Sequence, residues 1–257
     1  MTGDPARAAT RDLRRSPSLS ALAALIEDRL AARPLLVGIA GPEAVGKTTL
    51  VHALRDALTQ RGRTVQVLST DAFLLANAVL EARGLALRKG FPESYDATAI
   101  GAALATLHAG GAAQVPAYSH AVYDVVPDRV ETIAAAQVVL VEGVVALQPP
   151  AAAHLDLAIY VDAAEDAVRE WFVARFARLT AAAASDATSF YRPFAALPPE
   201  QVRAIAVATW DAINAPNLRQ HIAPSAARAD VVVCKDAAHG IVELRLRELG
   251  SPQAGGL

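Results

Sequence analysis

The stretch GPEAVGKTT at residues 41–49 is the feature that most constrains the fold of this chain. Gly41, Gly46, Lys47 and Thr48 match the pattern G-x-x-x-x-G-K-[ST], which follows the apolar run LLVGIA and leads into a helix-like segment. In that context the glycines let successive backbone N–H groups point inward, and the helix adds the positive end of its dipole. The stretch therefore predicts a loop that binds phosphate groups. A glycine turn without a ligand is the alternative.

Two side chains of this loop have predicted chemical roles. Lys47 can reach the outer phosphates of a nucleotide, and the Thr48 hydroxyl can ligate magnesium. ATP and Mg²⁺ are thus the predicted cofactors, and the nucleotide is expected to lie across Gly41, Pro42, Glu43, Ala44, Val45, Gly46, Lys47, Thr48 and Thr49.

The apolar runs and their punctuation predict an α/β fold. Five runs are apolar through most of their length, as strands covered on both faces are: 35–40, 64–70, 137–143, 155–162 and 230–235. Segments rich in Ala and Leu lie between most of them and read as crossover helices: 47–60, 97–109, 164–179 and 199–213. An earlier helix begins after serine caps near residue 18 and continues to Pro34. We expect a P-loop NTPase-type parallel sheet of about five strands flanked by helices.

Smaller units are expected around this sheet. Residues 111–135 carry short β-like pieces with prolines and aromatics, which predict an inserted β-hairpin at the sheet edge. Residues 1–17 are expected to be a flexible N-terminus, and 18–257 to form a single domain. Within that domain, about 164–215 is expected to supply a helical lid and part of the acceptor site.

Composition narrows the range of partners. The formal net charge is −2 and the pI is near 6.3, so the chain has no excess positive charge to attract nucleic acid or an acidic membrane. A small molecule is therefore the expected ligand. The single cysteine, Cys234, lies in an apolar run and reads as a buried thiol, which fits a reducing cytoplasm. The sequence shows no signal-peptide pattern and no apolar run long enough to cross a membrane, so a soluble cytoplasmic protein is expected.

Two carboxylates follow predicted strands at the edge where ligands of open parallel sheets bind. Asp71 comes after VQVLST and Glu142 comes after VVLV. A kinase needs one carboxylate near the acceptor hydroxyl to take its proton, and another near magnesium. Asp71 suits the first role and Glu142 the second. Helix capping or a loop turn is the alternative reading of either residue alone.

A phosphate-binding loop is compatible with a small-molecule kinase, a nucleotide switch or motor, or a binding module without chemistry. A GTP switch should carry an N-K-x-D type motif, and CKDA at 234–237 lacks its asparagine and final aspartate. No additional coupling domain of a motor is visible. Retention of Lys47, Asp71 and Glu142 together argues against an inactive regulator.

From about residue 35 to 248 the chain resembles bacterial type I pantothenate kinases. The resemblance is carried by STDAFLLANAVLEARGLALRKGFPESYD, VPAYSHAVYDVVPD, VVLVEGVVALQ, LDLAIYVDAAEDAVREWFVARF and TWDAINAPNLRQHIAPSAARADVVVCKDAAHGIVELRLR. The pieces KGFPESYD and YSHxxYD make it specific, because P-loop proteins in general do not share them. The resemblance implies ATP-dependent phosphorylation of pantothenate at its primary hydroxyl by a homodimeric cytoplasmic enzyme.

The resemblance also implies roles for single residues. Asp71 would act as base or orienter of the hydroxyl, and Arg175 would meet the transferring phosphate. The remaining matches would contact ligands: Tyr118, His120 and Tyr123 in the acceptor pocket, Asn214 on pantothenate, and His239 on adenine. Asn214 has another reading, because Asn before Ala-Pro suits the end of the helix that begins near 199.

One departure from the family bears on the acceptor. Phe172, expected in the substrate pocket, stands where the family has a tyrosine, so a hydroxyl able to bond a polar substrate is missing. Pantothenate is the first expected acceptor. A nucleoside such as uridine, or another small hydroxyl compound, is the alternative.

Overall fold

A computed structural model of the chain describes residues 18–247; the predicted flexible segment 1–17 and residues 248–257 lie outside the described part. The described residues contain eight strands, which are β1 Leu35–Ala40, β2 Val65–Ser69, β3 Ala113–Ser119, β4 Asp124–Ile133, β5 Val138–Glu142, β6 Leu157–Asp162, β7 Val231–Lys235 and β8 Ile241–Leu246. The longer helices are α1 Leu19–Glu27, α2 Lys47–Gln60, α3 Asn77–Ala82, α4 Ala97–His108, α5 Glu165–Ala182 and α6 Pro199–Thr209.

The central sheet has six strands in the order β2-β5-β1-β6-β7-β8. The first five run parallel, and β8 is antiparallel to β7. All residues of β1 and β5 are buried, as expected for strands covered by helices on both faces. The predicted α/β class and the parallel core of five strands are confirmed. The sixth strand was not predicted, because IVELRL is half exposed and too short to separate from a loop by pattern alone.

The predicted hairpin is confirmed by β3 and β4, which pair with each other as a separate two-stranded sheet. The helix predicted to run up to Pro34 is shorter. Ser18 caps its start as predicted, since the Ala21 N–H donates to Ser18 Oγ over 3.2 Å. It ends at Glu27, and tighter turns lead from there towards β1.

Strand register brings three predicted site segments to one edge. Glu142, at the end of β5, is level with Ile39 of β1 and with Ser69 of β2. The phosphate loop follows β1 and Asp71 follows β2, so both leave the sheet beside Glu142. Parallel sheets present their ligand sites at this carboxyl edge.

Asp156 joins strands at the opposite edge of the sheet. Its Oδ2 accepts a hydrogen bond of 2.9 Å from the Leu36 N–H, and its Oδ1 lies 2.6 Å from Arg33 Nη2. Burial acts to raise the pKa of Asp156, but the hydrogen bonds from Arg33 and the Leu36 N–H outweigh it and hold that pKa below its usual value. Asp156 is thus a structural carboxylate, remote from the phosphate loop.

The interpretation of Asn214 as a helix end is wrong. The chain stays helical beyond α6, through wider π-type turns at Trp210–Asn214 and Leu218–Ile222 with short α-helical turns between and after them. The Ala-Pro pair lies directly after the first of these π-type turns, at the start of a short α-helical turn. Asn214 therefore lies inside a helical path that reaches Ser225.

Two further expectations concern membrane-spanning helices and the single cysteine. Within residues 18–247, none of the helices combines the length and apolar character needed to cross a membrane. Cys234 is a buried free cysteine in β7, as the sequence predicted.

Candidate active site

The phosphate loop has the backbone shape that its glycines predict. Gly46 has a φ of +88° and directly precedes α2, whose first residue is Lys47. Gly41 packs so closely against β6 that a Cβ atom there would lie 2.4 Å from the Val161 carbonyl oxygen. Larger residues at either position would be strained or would clash. The loop thus presents backbone N–H groups at a helix N-terminus, an arrangement that suits phosphate oxygens.

Two lysine side chains donate hydrogen bonds to carbonyl oxygens of the loop. Lys47 is buried, and its Nζ donates to the carbonyl oxygens of Gly41 and Pro42 over 3.1 and 2.8 Å. Lys235, at the end of β7, donates from Nζ to the Val45 carbonyl over 3.0 Å. Burial lowers the pKa of Lys235. Lys235 has no predicted role in the sequence. The signal for it is that Lys47, Lys89 and Lys235 are the only lysines in a chain that otherwise uses arginine.

The predicted metal residues meet directly. Thr48 Oγ1 donates a 3.3 Å hydrogen bond to Glu142 Oε1. Oxygen donors of this type suit Mg²⁺, which commonly takes only one or two protein ligands beside phosphate oxygens and water. Within residues 18–247 there is no cluster of three or more acidic, histidine or cysteine side chains able to hold a metal. Thr48 and Glu142 together fit the predicted magnesium position.

Asp71 lies in a short 3₁₀ turn, Thr70–Phe73, directly after β2. Ser69 Oγ accepts from the Asp71 N–H over 3.3 Å and fixes the start of this turn. Burial raises the pKa of Asp71 to about 6, and the Glu43 and Glu142 carboxylates act in the same direction. A carboxylate whose pKa approaches neutrality is suited to accept a proton from a hydroxyl.

A pocket of about 420 Å³ connects the phosphate loop with the acceptor region. Its wall includes Glu43 of the loop, and its size lies in the range of small-molecule sites. It also brings together, from four separate segments, the residues predicted to touch the acceptor or the transferred phosphate: Asp71, Tyr118, His120, Tyr123, Phe172, Arg175 and Asn214. Their roles remain predictions, but their convergence on one cavity is a finding.

The hairpin side of the pocket is polar and aromatic. His120 Nε2 lies 3.8 Å from Asp71 Oδ2 and packs edge-on against the Tyr118 ring. Lys89, from KGFPESYD, donates from Nζ to the Tyr123 carbonyl over 2.6 Å and lies 4.5 Å from the centre of the Tyr123 ring. Burial lowers the pKa of Lys89, although the carboxylates of Asp124 and Asp71 oppose this shift. Lys89 has no predicted role in the sequence, although it belongs to the specific motif KGFPESYD.

The helical side of the pocket is largely apolar. Phe172 and Phe176 of α5 pack against each other, and Phe172 also contacts the buried Trp210. Asn214 brings an amide to this wall, and its Nδ2 is buried without a hydrogen-bond partner among the described residues. Asn217, one turn further, donates from Nδ2 to the Gly90 carbonyl over 2.9 Å and so ties this helical path to the KGFPESYD segment.

Arg175 reaches from α5 to the phosphate loop. Its Nη1 lies 2.7 Å from Glu43 Oε1, and both side chains are partly exposed in the pocket. Arg175 therefore lies beside the phosphate loop, where its partner is a loop carboxylate. Its role toward the transferred phosphate stays a prediction.

His239 lies apart from the acceptor pocket, after β7. Its ring stacks on Trp171 of α5, with ring centroids 3.8 Å apart and planes inclined by 23°. Trp171 Nε1 donates to the Ala237 carbonyl over 3.2 Å, which fastens α5 to this loop. Stacked aromatic rings are a common contact surface for a nucleobase. The contact of His239 with adenine stays a prediction. Its stacking partner Trp171 was not indicated by the sequence.

Comparison with known proteins places this geometry in a family. Residues 36–178, more than half of the chain, match the profile of the phosphoribulokinase / uridine kinase family. The chain belongs to this family. The family member is 39% identical over 239 residues to a pantothenate kinase of Nocardioides sp., covering 88% of this chain and 73% of the relative. It is 42% identical over 227 residues to a pantothenate kinase of Sorangium cellulosum, covering 84% and 74%. The resemblance to pantothenate kinases is confirmed.

The solved structures agree on the fold. A putative fructose transport system kinase from Silicibacter sp. TM1040 aligns with a TM-score of 0.65 and 24% identity, covering 79% of this family member and 92% of that chain. At that identity the likeness shows the shared P-loop kinase fold alone.

Proposed function

We propose that the chain is an ATP-dependent kinase that phosphorylates the primary hydroxyl of pantothenate. The observation that carries the proposal is one continuous pocket, whose wall runs from the phosphate loop at Glu43 to Asp71 and on to Tyr118, His120 and Asn214. A nucleotide held by the loop would thereby have its terminal phosphate beside the position of an acceptor hydroxyl. The sequence identity to pantothenate kinases selects the acceptor from among small hydroxyl compounds.

The proposed reaction assigns one step to each polar group. The acceptor oxygen forms a bond to the γ-phosphorus while the bond from that phosphorus to the β–γ bridging oxygen breaks, and the hydroxyl proton passes to Asp71. Lys47 leaves the loop carbonyls and balances charge on the phosphates, with Arg175 on the transferred group. Magnesium, when bound beside Thr48 and Glu142, would neutralise charge on the β- and γ-phosphate oxygens.

A coupled assay of ADP release tests the acceptor. The purified chain is given MgATP with pantothenate, uridine or simple sugars, and mass spectrometry identifies the phosphorylated product. We expect turnover with pantothenate well above that with the other compounds. Preference for uridine would assign the chain to nucleoside phosphorylation, and ADP release that no acceptor stimulates would favour a nucleotide-binding regulator.

Phe172 offers a second arm of the same test. Replacing it by tyrosine restores the hydroxyl that the family carries at this position, and one added hydrogen bond should lower KM for pantothenate by about two- to tenfold.

Homodimerisation and a cytoplasmic location also belong to the proposal through the resemblance. Light scattering after size exclusion tests the dimer.

A further inference from the structure

Glu43 is an unexpected residue for a loop proposed to hold phosphate. It is the third residue of GPEAVGKT, and its side chain is 39% exposed in the pocket that the acceptor would enter. A carboxylate at this place repels phosphate oxygens unless a cation compensates its charge. The residue therefore calls for a compensating partner, and the structure provides one.

That partner is Arg175. Arg175 Nη1 and Glu43 Oε1 are 2.7 Å apart, the distance of a charge-assisted hydrogen bond, between residues 132 positions apart in the chain. No other hydrogen bond of the Arg175 side chain occurs within residues 18–247, so its Nε and Nη2 keep their N–H donors for a ligand. The contact fixes one corner of the guanidinium and leaves the rest available.

Such a contact has a physical benefit for phosphoryl transfer. A free arginine side chain occupies many rotamers, and ordering it during the reaction costs conformational entropy. Donors that are oriented before the reaction stabilise the charge of the transition state without that cost. Glu43 is the side chain that can orient Arg175 before the nucleotide arrives.

We infer that Glu43 is a positioning residue, whose carboxylate holds the Arg175 guanidinium ready to meet the transferred phosphoryl group. The inference rests on the proposed kinase function and extends it to a residue of the loop that contributes a side chain rather than a backbone amide.

The local charges support an ionised Glu43. Burial acts to raise the pKa of Glu43, but Lys47 and Arg175, with a smaller contribution from His120, lower it below its usual value. The carboxylate therefore carries its charge at neutral pH and can serve as the arginine's partner.

A double-mutant cycle in the full chain tests the inference. Glu43→Ala should lower kcat about tenfold, because a misplaced arginine loses transition-state contacts. Glu43→Gln, which keeps a neutral acceptor for Arg175, should lose only about threefold. With Arg175 already replaced by alanine, Glu43→Ala should have less than about a twofold further effect. Glu165→Gln is the matched control. Glu165 lies on α5, as Arg175 does, and forms an exposed ion pair with Arg219, so breaking this pair should leave kcat unchanged.

Two readouts separate failure of this inference from failure of the kinase proposal. ATP hydrolysis without any acceptor should show the same non-additive pattern. The Arg175 Nε–H signal in ¹⁵N NMR, assigned through its loss in Arg175→Lys, needs no activity at all. This signal should report a rigid Arg175 side chain in the unmodified chain and in Glu165→Gln, and a mobile one in Glu43→Ala. Equal fold-losses from Glu43→Ala in both backgrounds, a rise in kcat, or a mobile Arg175 in the unmodified chain would overturn the inference.

Discussion

Asp71 Oδ2 and His120 Nε2 lie 3.8 Å apart, and this distance joins the central sheet to the inserted hairpin across the candidate acceptor site. Asp71 leaves the sheet directly after β2, whereas His120 lies in the turn between β3 and β4. His120 thus brings a side chain of the hairpin next to the carboxylate proposed as the base.

Replacing Asp71 by asparagine should abolish phosphoryl transfer while ATP affinity stays nearly intact. The amide keeps the size of the side chain but cannot accept the hydroxyl proton, and a positioned base contributes a factor of about 100 or more to the rate. Calorimetric titration with ATP and the coupled assay measure the two quantities separately. Asp56→Asn, an exposed aspartate on α2, serves as the control, and turnover of Asp71→Asn equal to that of this control would remove Asp71 from the mechanism.

Activity should fall as the pH drops through about 6. Burial, together with the Glu43 and Glu142 carboxylates, raises the pKa of Asp71 to about 6, so the base is protonated and inactive below that value and ionised above it. A protonated His120 lowers this pKa, so His120→Gln should move the acid limb of kcat/KM to higher pH. A profile of kcat/KM from about pH 5 to about pH 8, which also covers the range in which histidine titrates, measures both effects. An acid limb that moves to lower pH would contradict the assignment.

The magnesium requirement should depend on Thr48 and Glu142. Glu142→Gln removes a charged oxygen from the predicted metal position and should raise the Mg²⁺ concentration for half-maximal activity by about tenfold or more. Thr48→Ala should act in the same direction, whereas Thr48→Ser keeps the hydroxyl and should retain the original requirement. Titration of free Mg²⁺ at saturating ATP measures the shift. Identical curves for all variants would place the metal elsewhere.

Asp156→Ala should destabilise the fold without changing the chemistry. The substitution leaves the Leu36 N–H without its partner, which costs about 1–3 kcal/mol in the free energy of unfolding. Urea unfolding measures this loss, and Asp156→Asn, which keeps an acceptor oxygen, should lose less.

The pH dependence of the Asp156 effect has a defined sign. Because the pKa of Asp156 is lower in the folded chain than in the unfolded one, its contribution is present above the usual aspartate pKa and disappears as the pH falls through the folded value. The stability difference between the unmodified chain and Asp156→Asn should therefore shrink on acidification. A difference that grows instead would be inconsistent with this sign.

The sequence predicted those parts of the fold that local pattern determines. Five buried strands, the hairpin and the phosphate loop follow from continuous apolar runs and from glycine spacing. The path around Asn214 could not be predicted, because the usual stop signals of Asn and Pro are overridden by continued helical turns whose side chains, such as Trp210 and Leu218, are buried in the core.

The candidate site shows the same division. Residues within recognisable motifs, such as Asp71 and His120, converge as the sequence indicated. The contacts between Arg175 and Glu43, or between Trp171 and His239, join segments far apart in the chain. A single sequence carries no signal for such pairs, since neither residue type nor spacing specifies a partner across the fold.

The bonds from Lys47 to the carbonyls of Gly41 and Pro42 mean that the central ammonium group has a resting place when no anion is near. In the proposed function, a bound nucleotide would bring phosphate oxygens to the same nitrogen in place of these carbonyls. One lysine side chain would then change partners at a position that the loop backbone already surrounds.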